Sequence, residues 1–248
     1  MIKTTLATPY GELRVLSLES IFQQTIGFMH EAMVQKEGDP ISVGLTGGST
    51  PKAFYQWAAE GSALSPAMLE RIYWFTSDER MVPLASDESN FGTAQRLLFD
   101  PLKAPNHHLF PWPTEGNSAE AAQAFNETWN ERFSPSTCFD VCFLGMGDDC
   151  HTASLFPQSP LIGADVDTNF ATVEVPSKGP RLTITEAGLS RCAQIVITVT
   201  GKGKAAALKT VLEGKFDPKN APSQVLKAFA EKVVWLVDEA ASSELSLG

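Results

Sequence analysis

The 248-residue chain carries 19 Lys and Arg against 29 Asp and Glu, a formal net charge of −10, and is 43% hydrophobic and 19% charged. That acidic excess argues against a general nucleic-acid binder, which captures phosphates with clustered cations, yet allows a small anion at a locally basic site. No apolar run approaches the ~18–20 residues of a membrane span, and MIKTTLATPYGELRV lacks a signal peptide's apolar core, so a cytoplasmic location and no membrane partner are expected.

In chain order, Phe22, Ile26, Met29 and Met33 share one face of a predicted N-terminal helix, opened by Ser20 with Gln23 in a capping-box pattern. Strand Ile41–Thr46 runs into Gly47-Gly48, with Ser49 and Thr50 where N-caps belong and Pro51 at the first helical position. Strand Ile72–Thr76 leads to Asp78-Glu79-Arg80, and Asn90 falls near the start of the next helix. Ala121, Phe125, Trp129 and Phe133 recur at four-residue steps in another. Strand Asp140–Gly145 precedes the glycine-rich GMGDDCHTAS, and a turn at Pro176–Pro180 precedes strand Arg181–Thr185. Strand Gln194–Thr200 is followed by a helix from Lys204 to Leu212, with Gly214 as its expected left-handed cap. Strand Lys232–Val237 comes last.

Nearly continuous apolar strands alternating with helices predict an α/β fold around a parallel sheet covered on both faces. With no linker rich in Pro, Gly or Ser, a single domain over 1–248 is expected. The four cysteines, Cys138, Cys142, Cys150 and Cys192, show no CxxC spacing and read as packed thiols, not zinc ligands. His107 and His108, in a Pro- and Asn-containing loop, read as surface residues.

Four places carry possible chemistry. Gly47, Gly48 and Ser49 form either a tight strand-to-helix turn or an anion site made of backbone N–H groups and a helix dipole. Asp78-Glu79-Arg80, beyond a strand's carboxyl end, is a solvated ion-pair loop or a set of ligand groups, and an arginine there grips phosphate with two parallel bonds. His151 follows a third strand beside Asp148 and Asp149; an imidazole with an unperturbed pKa near ~6.5 suits general-base work. Cys150 and His151, adjacent in extended chain, point apart. Lys202 and Lys204 open a helix, where its dipole disfavours cations, and Lys178 and Arg181 flank a turn; each is a solvated charge or an anion ligand. All four places fall at the carboxyl ends of predicted strands, which groups them in one cleft.

At these residues the chain resembles the 6-phosphogluconolactonase family, through GLTGGSTPKAFY, SDERMVPLASDESNFG, FLGMGDDCHTASLFP, KGPRLTIT and VTGKGKAAALKTVL. The resemblance implies a Rossmann-like three-layer α/β sandwich with a mainly parallel sheet, shared with glucosamine-6-phosphate deaminases, ribose-5-phosphate isomerases and coenzyme A transferases. It implies hydrolysis of 6-phospho-D-glucono-1,5-lactone in the oxidative pentose phosphate pathway, without metal or organic cofactor. By that resemblance His151 is the base for water, and Arg80, Lys178, Gly47, Gly48 and Ser49 hold the phosphate. Asn90, Arg181 and Lys204 join them as candidate substrate ligands. Asp149 or Asp78 orients the imidazole, and the sequence does not choose between them.

Two departures stand out. Cys150 stands where the family has glycine, and at a position needing positive φ a cysteine would be strained and could displace His151; the Lys178 turn is also shorter than the usual form with several prolines. A glucosamine-6-phosphate deaminase, using the aspartate at Asp78, and a sugar-phosphate-binding regulator without catalysis are the alternatives. Oligomeric state is left open, with a monomer compatible.

Overall fold

The computed structural model describes residues 2–246. A hairpin, β1 (Ile2–Thr8) and β2 (Gly11–Leu16), leads to α1 (Leu18–Gln35), β3 (Ile41–Leu45), α2 (Ser49–Glu60), α3 (Pro66–Leu69) and β4 (Ile72–Thr76). The three-residue β5 (Asp78–Arg80) precedes α4 (Asn90–Ala94), which continues through a π-helical turn into α5 (Asp100–Leu102). Next come α6 (Ser118–Arg132), β6 (Val141–Gly145), β7 (Phe170–Val175), β8 (Gly179–Ile184), α7 (Glu186–Arg191) and β9 (Gln194–Val199). Then α8 (Ala205–Glu213), a 3-10 segment (Pro222–Lys232) and β10 (Val233–Val237) complete the order.

The main sheet has the order β1-β2-β10-β9-β6-β3-β4, parallel except for β1. Its apolar residues alternate between two cores, as the period of two demands. Trp74, Val234 and Leu236 face α1, α2 and α4, while Phe75, Val233 and Trp235 face α6 and α8. This is the three-layer sandwich expected from the sequence. A second, antiparallel sheet, β5-β8-β7, lies beside it. No helix among the described residues is long and apolar enough to cross a membrane.

Topology determines where a ligand can enter. From β3 the chain moves outward to β4, then returns to β6 on the other side, which makes a switch point. The ladder between β3 and β6 covers only Val43–Val141 and Gly44–Cys142, whereas β6 stays paired with β9 as far as Gly145–Thr198. The two strands therefore part at their carboxyl ends and open a crevice.

Several local expectations need correction. Ser17, not Ser20, caps α1, its hydroxyl accepting the Ser20 N–H at 3.2 Å. Gly48, at φ 118°, caps α2, so Ser49 is its first helical residue and Pro51 its third. Gly214 is extended (φ −73°, ψ 171°) rather than left-handed. Its missing side chain is explained by contact, since a Cβ would stand 2.3 Å from the Thr210 carbonyl oxygen. Phe133 lies just past the end of α6, in extended conformation. His107 is exposed, but His108 is buried edge-on against Tyr73, with Nδ1 3.3 Å from the Leu69 carbonyl. All four cysteines are free and buried.

Candidate active site

The crevice is a cleft of about 250 Å³ lined from three strand ends. Gly47, Gly48 and Ser49 follow β3, His151 follows β6, and Thr200 and Lys204 follow β9, with Asp78, Arg80 and Asn90 closing one side. Of the cations predicted to share a site with the imidazole, Arg80 and Lys204 line this cleft with His151, and Lys178 and Arg181 do not.

The glycine loop is shaped by contact as much as by dihedral freedom. A Cβ on Gly47 would stand 1.9 Å from the Asn90 side-chain oxygen, so the loop rests directly on Asn90. The α2 N-terminus has no side-chain cap, which leaves first-turn N–H groups to an anion. Thr50 and Thr200 share a 2.6 Å hydroxyl hydrogen bond that ties the loop to the end of β9.

Asp78-Glu79-Arg80 is a strand rather than a solvated loop, with Asp78 and Glu79 buried and Arg80 half-buried. Glu79 points away from the cleft, its carboxylate accepting the N–H groups of Arg80, Asn90 and Phe91, each at 2.8 Å, and the Ser89 hydroxyl at 3.1 Å. It thereby holds Arg80 and Asn90 in fixed relation. Asp78 accepts the Ser154 hydroxyl at 2.8 Å. Burial pushes its carboxyl pKa up, against the opposing pull of Ser154, Arg80, His151 and Arg181. Arg80 pairs directly with Arg181 across β5 and β8. Like charges directly opposite are destabilising. Burial, and then Arg80, lower the pKa of Arg181.

The imidazole is closely held. His151 Nδ1 lies 2.5 Å from Asp149 Oδ1, which also accepts the His151 backbone N–H at 3.1 Å. Of the two candidate orienting acids, Asp149 makes the contact. Burial alone would raise the Asp149 pKa, but the hydrogen bond and charge of His151, with Lys178, bring it down to about 2. An Nδ1–H donated to this carboxylate leaves the Nε2 lone pair for chemistry. Phe156 stacks on the ring at 4.2 Å and 26°. On another side Gly147 is so close that a Cβ would stand 2.0 Å from Nδ1.

Lys178 and Arg181 do not line the cleft. Lys178 is exposed, its ammonium 4.2 Å from the centroid of the Phe156 ring. Arg181 donates to the Lys178 and Pro180 carbonyls at 2.5 and 3.1 Å. Both stand at the rim because the β7–β8 turn, left-handed at Ser177 (φ 64°), projects beyond β5. Cys150 does occupy a positive φ, 65°. Its thiol packs 3.6 Å from the Ala207 carbonyl, away from the cleft, while His151 remains in it.

Sequence reasoning missed Phe156, Gly147, Ser154 and Thr200. Phe156 and Gly147 lay within the motif around His151 but carry no titratable group, and the hydroxyls of Ser154 and Thr200 gain partners only through the tertiary fold. Among the described residues no group of three or more His, Cys, Asp and Glu is placed to hold a metal ion.

Residues 18–235 match the family described as glucosamine-6-phosphate isomerases/6-phosphogluconolactonase. The chain belongs to that family. A Synechocystis 6-phosphogluconolactonase is 32% identical over 209 residues, 82% of this chain and 84% of the relative. A 6-phosphogluconolactonase of Homo sapiens is 30% identical over 210 residues, 83% of this chain and 81% of the relative. The crystal structure of 6-phosphogluconolactonase from Thermotoga maritima superposes with a TM-score of 0.75 at 29% identity, covering 91% of this chain and 98% of that one. Within the family, therefore, lactonases share both the sequence and the architecture of this chain.

Proposed function

We propose that this chain is a 6-phosphogluconolactonase, a carboxylic ester hydrolase that opens 6-phospho-D-glucono-1,5-lactone in the oxidative pentose phosphate pathway. One observation carries the reading: an imidazole oriented by a carboxylate shares a cleft with Arg80, Lys204 and an uncapped helix start. The cationic side takes the 6-phosphate, and the lactone carbonyl then comes to lie at His151.

His151 Nε2 accepts a proton from water as the water oxygen bonds to C1. Asp149 stabilises the imidazolium that results. Backbone N–H groups of a glycine loop steady the oxyanion, a contribution of ~2.7–4 kcal/mol per donor in comparable sites. Collapse of the tetrahedral intermediate breaks the bond from C1 to the ring oxygen, which takes the proton from the imidazolium. The carboxylic acid so formed loses the remaining water proton to solvent, leaving a carboxylate and a free C5 hydroxyl. Gly47, Gly48, Ser49, Asn90 and Arg80 hold the phosphosugar, with Lys178 and Arg181 guarding the rim.

Lactone hydrolysis by purified protein, corrected for spontaneous opening, tests the assignment. His151→Ala is expected to lower the rate by ~10²–10⁴; undiminished turnover would reject the role of His151. The deaminase alternative places its proton transfer on Asp78, a side chain here bonded to Ser154. Ammonia release from glucosamine 6-phosphate would establish that alternative instead.

A further inference from the structure

We infer that Ser223, remote in sequence from every group in the cleft, is a positioning residue that holds the His151 loop in its working conformation. The inference rests on the proposed role of His151, and its test separates the two.

Cys150 stands at φ 65°, a backbone region that side-chain-bearing residues seldom occupy, and Ala153 at φ 47° repeats the condition on the other side of His151. Two such turns within four residues do not hold themselves. The carbonyl of Cys150 belongs to the peptide that joins it to His151, so the plane of that peptide determines where the imidazole begins. Ser223 is fully buried, and both its donors go to this one oxygen, the backbone N–H at 2.9 Å and the hydroxyl at 2.8 Å. It follows Pro222 at the start of the 3-10 segment. Proline has no N–H, so the Ser223 amide is the first donor of that segment and has no partner within it. From the other end, the Cys150 N–H reaches the Gly147 carbonyl at 3.2 Å, and the Gly147 N–H reaches the His151 carbonyl at 2.9 Å. The loop is thus closed on itself, and its Cys150 carbonyl is pinned from outside by Ser223, beside the longer contact of the Cys150 thiol with the Ala207 carbonyl at 3.6 Å. Ser223 supplies that pin because residue 150 carries a side chain; a glycine there would adopt the same φ unaided.

The experiment is a double-mutant cycle between S223A and C150G, read by steady-state lactone hydrolysis and by the imidazole Cε1–H resonance of His151 in the substrate-free protein. S223A is expected to lower kcat roughly tenfold, through a small misplacement of the base, with KM within about twofold, and to shift the resonance. In the C150G background, S223A is expected to change neither. An S223A protein equal to wild type in kcat and resonance would overturn the inference, and so would an equal loss in both backgrounds, which marks Ser223 as a packing residue only. If S223A alone does not fold, C150G/S223A decides: recovery supports the inference, and failure of both proteins overturns it. If the wild type opens no lactone, the proposed function falls. The resonance arm then judges Ser223 by itself, coupling to position 150 supporting the inference and its absence overturning it.

Discussion

At the scale of single residues, His151 is restrained in its plane by Asp149, on one face by Phe156 and at its edge by Gly147. Such restraint matters because a misplacement near 1 Å can cost about 10²-fold in rate. Asp149→Asn keeps the shape but loses the charge that favours the reactive tautomer, and is expected to lower kcat about 10–10²-fold with KM nearly unchanged. Steady-state kinetics check this. The same pair carries an acid dependence of stability. The folded pKa of Asp149, about 2, lies below the unfolded value, which is ~3.9 for a free aspartate. Its stabilisation is therefore fully present above about pH 4 and is lost as pH falls toward about 2. Because 40% of the Asp149 side chain remains exposed, solvent screens the pair and the effect is small. Unfolding midpoints of D149N between those pH values should decline less steeply than those of the wild type.

At the scale of elements, the loops leaving β3 and β6 do the positioning, and each depends on a glycine for room. Gly47 lies against Asn90 and Gly147 against His151. Gly147→Ala drives a methyl group into the space of the imidazole, which is the softer partner because it is one-quarter exposed (27%). The ring should give way before the backbone does. The expected outcome is a loss of kcat of about 10²-fold with the unfolding midpoint moved by only a few degrees, read by kinetics and thermal denaturation of one preparation. Glu79 shows another use of an element. A buried carboxylate spends itself on three backbone N–H groups, and so locks β5 to the start of α4, fixing Arg80 relative to Asn90.

At the scale of the whole molecule, a chain of net charge −10 gathers Arg80, Arg181, Lys178 and Lys204 in and around one cleft. Clustered cations of this kind favour an anionic ligand locally even on an acidic chain. Binding to the folded state alone raises its stability. At 100 times the dissociation constant the gain is about 2.7 kcal/mol, which at this chain length corresponds to about 5–10 °C in Tm. 6-Phosphogluconate is expected to produce that shift, and Arg80→Ala to remove most of it. High salt should shrink it. Thermal denaturation with and without the ligand reads all three.

Local pattern was enough to reveal the covered parallel strands, because burial on both faces leaves near-continuous apolar runs such as Ile41–Leu45 and Val141–Gly145. It also placed His151, Arg80 and the glycine loop beyond strand ends, where they line one cleft, because strand ends followed by Gly, Arg or His are visible along one dimension. β1 and β2 escaped notice because a half-exposed edge hairpin alternates polar and apolar residues and leaves no such run. His108 was misread because burial depends on what Tyr73 brings to it. The amino-acid order by itself determined the layered architecture and the chemical kinds of group at the strand ends. Only the tertiary structure decided that Asp149 rather than Asp78 touches the imidazole, that Lys178 and Arg181 stand at the rim, and that Ser223 reaches the Cys150 carbonyl from 73 residues away. Those choices turn on ångström distances between segments joined by long loops, and chain connectivity specifies which groups exist without specifying which of them meet.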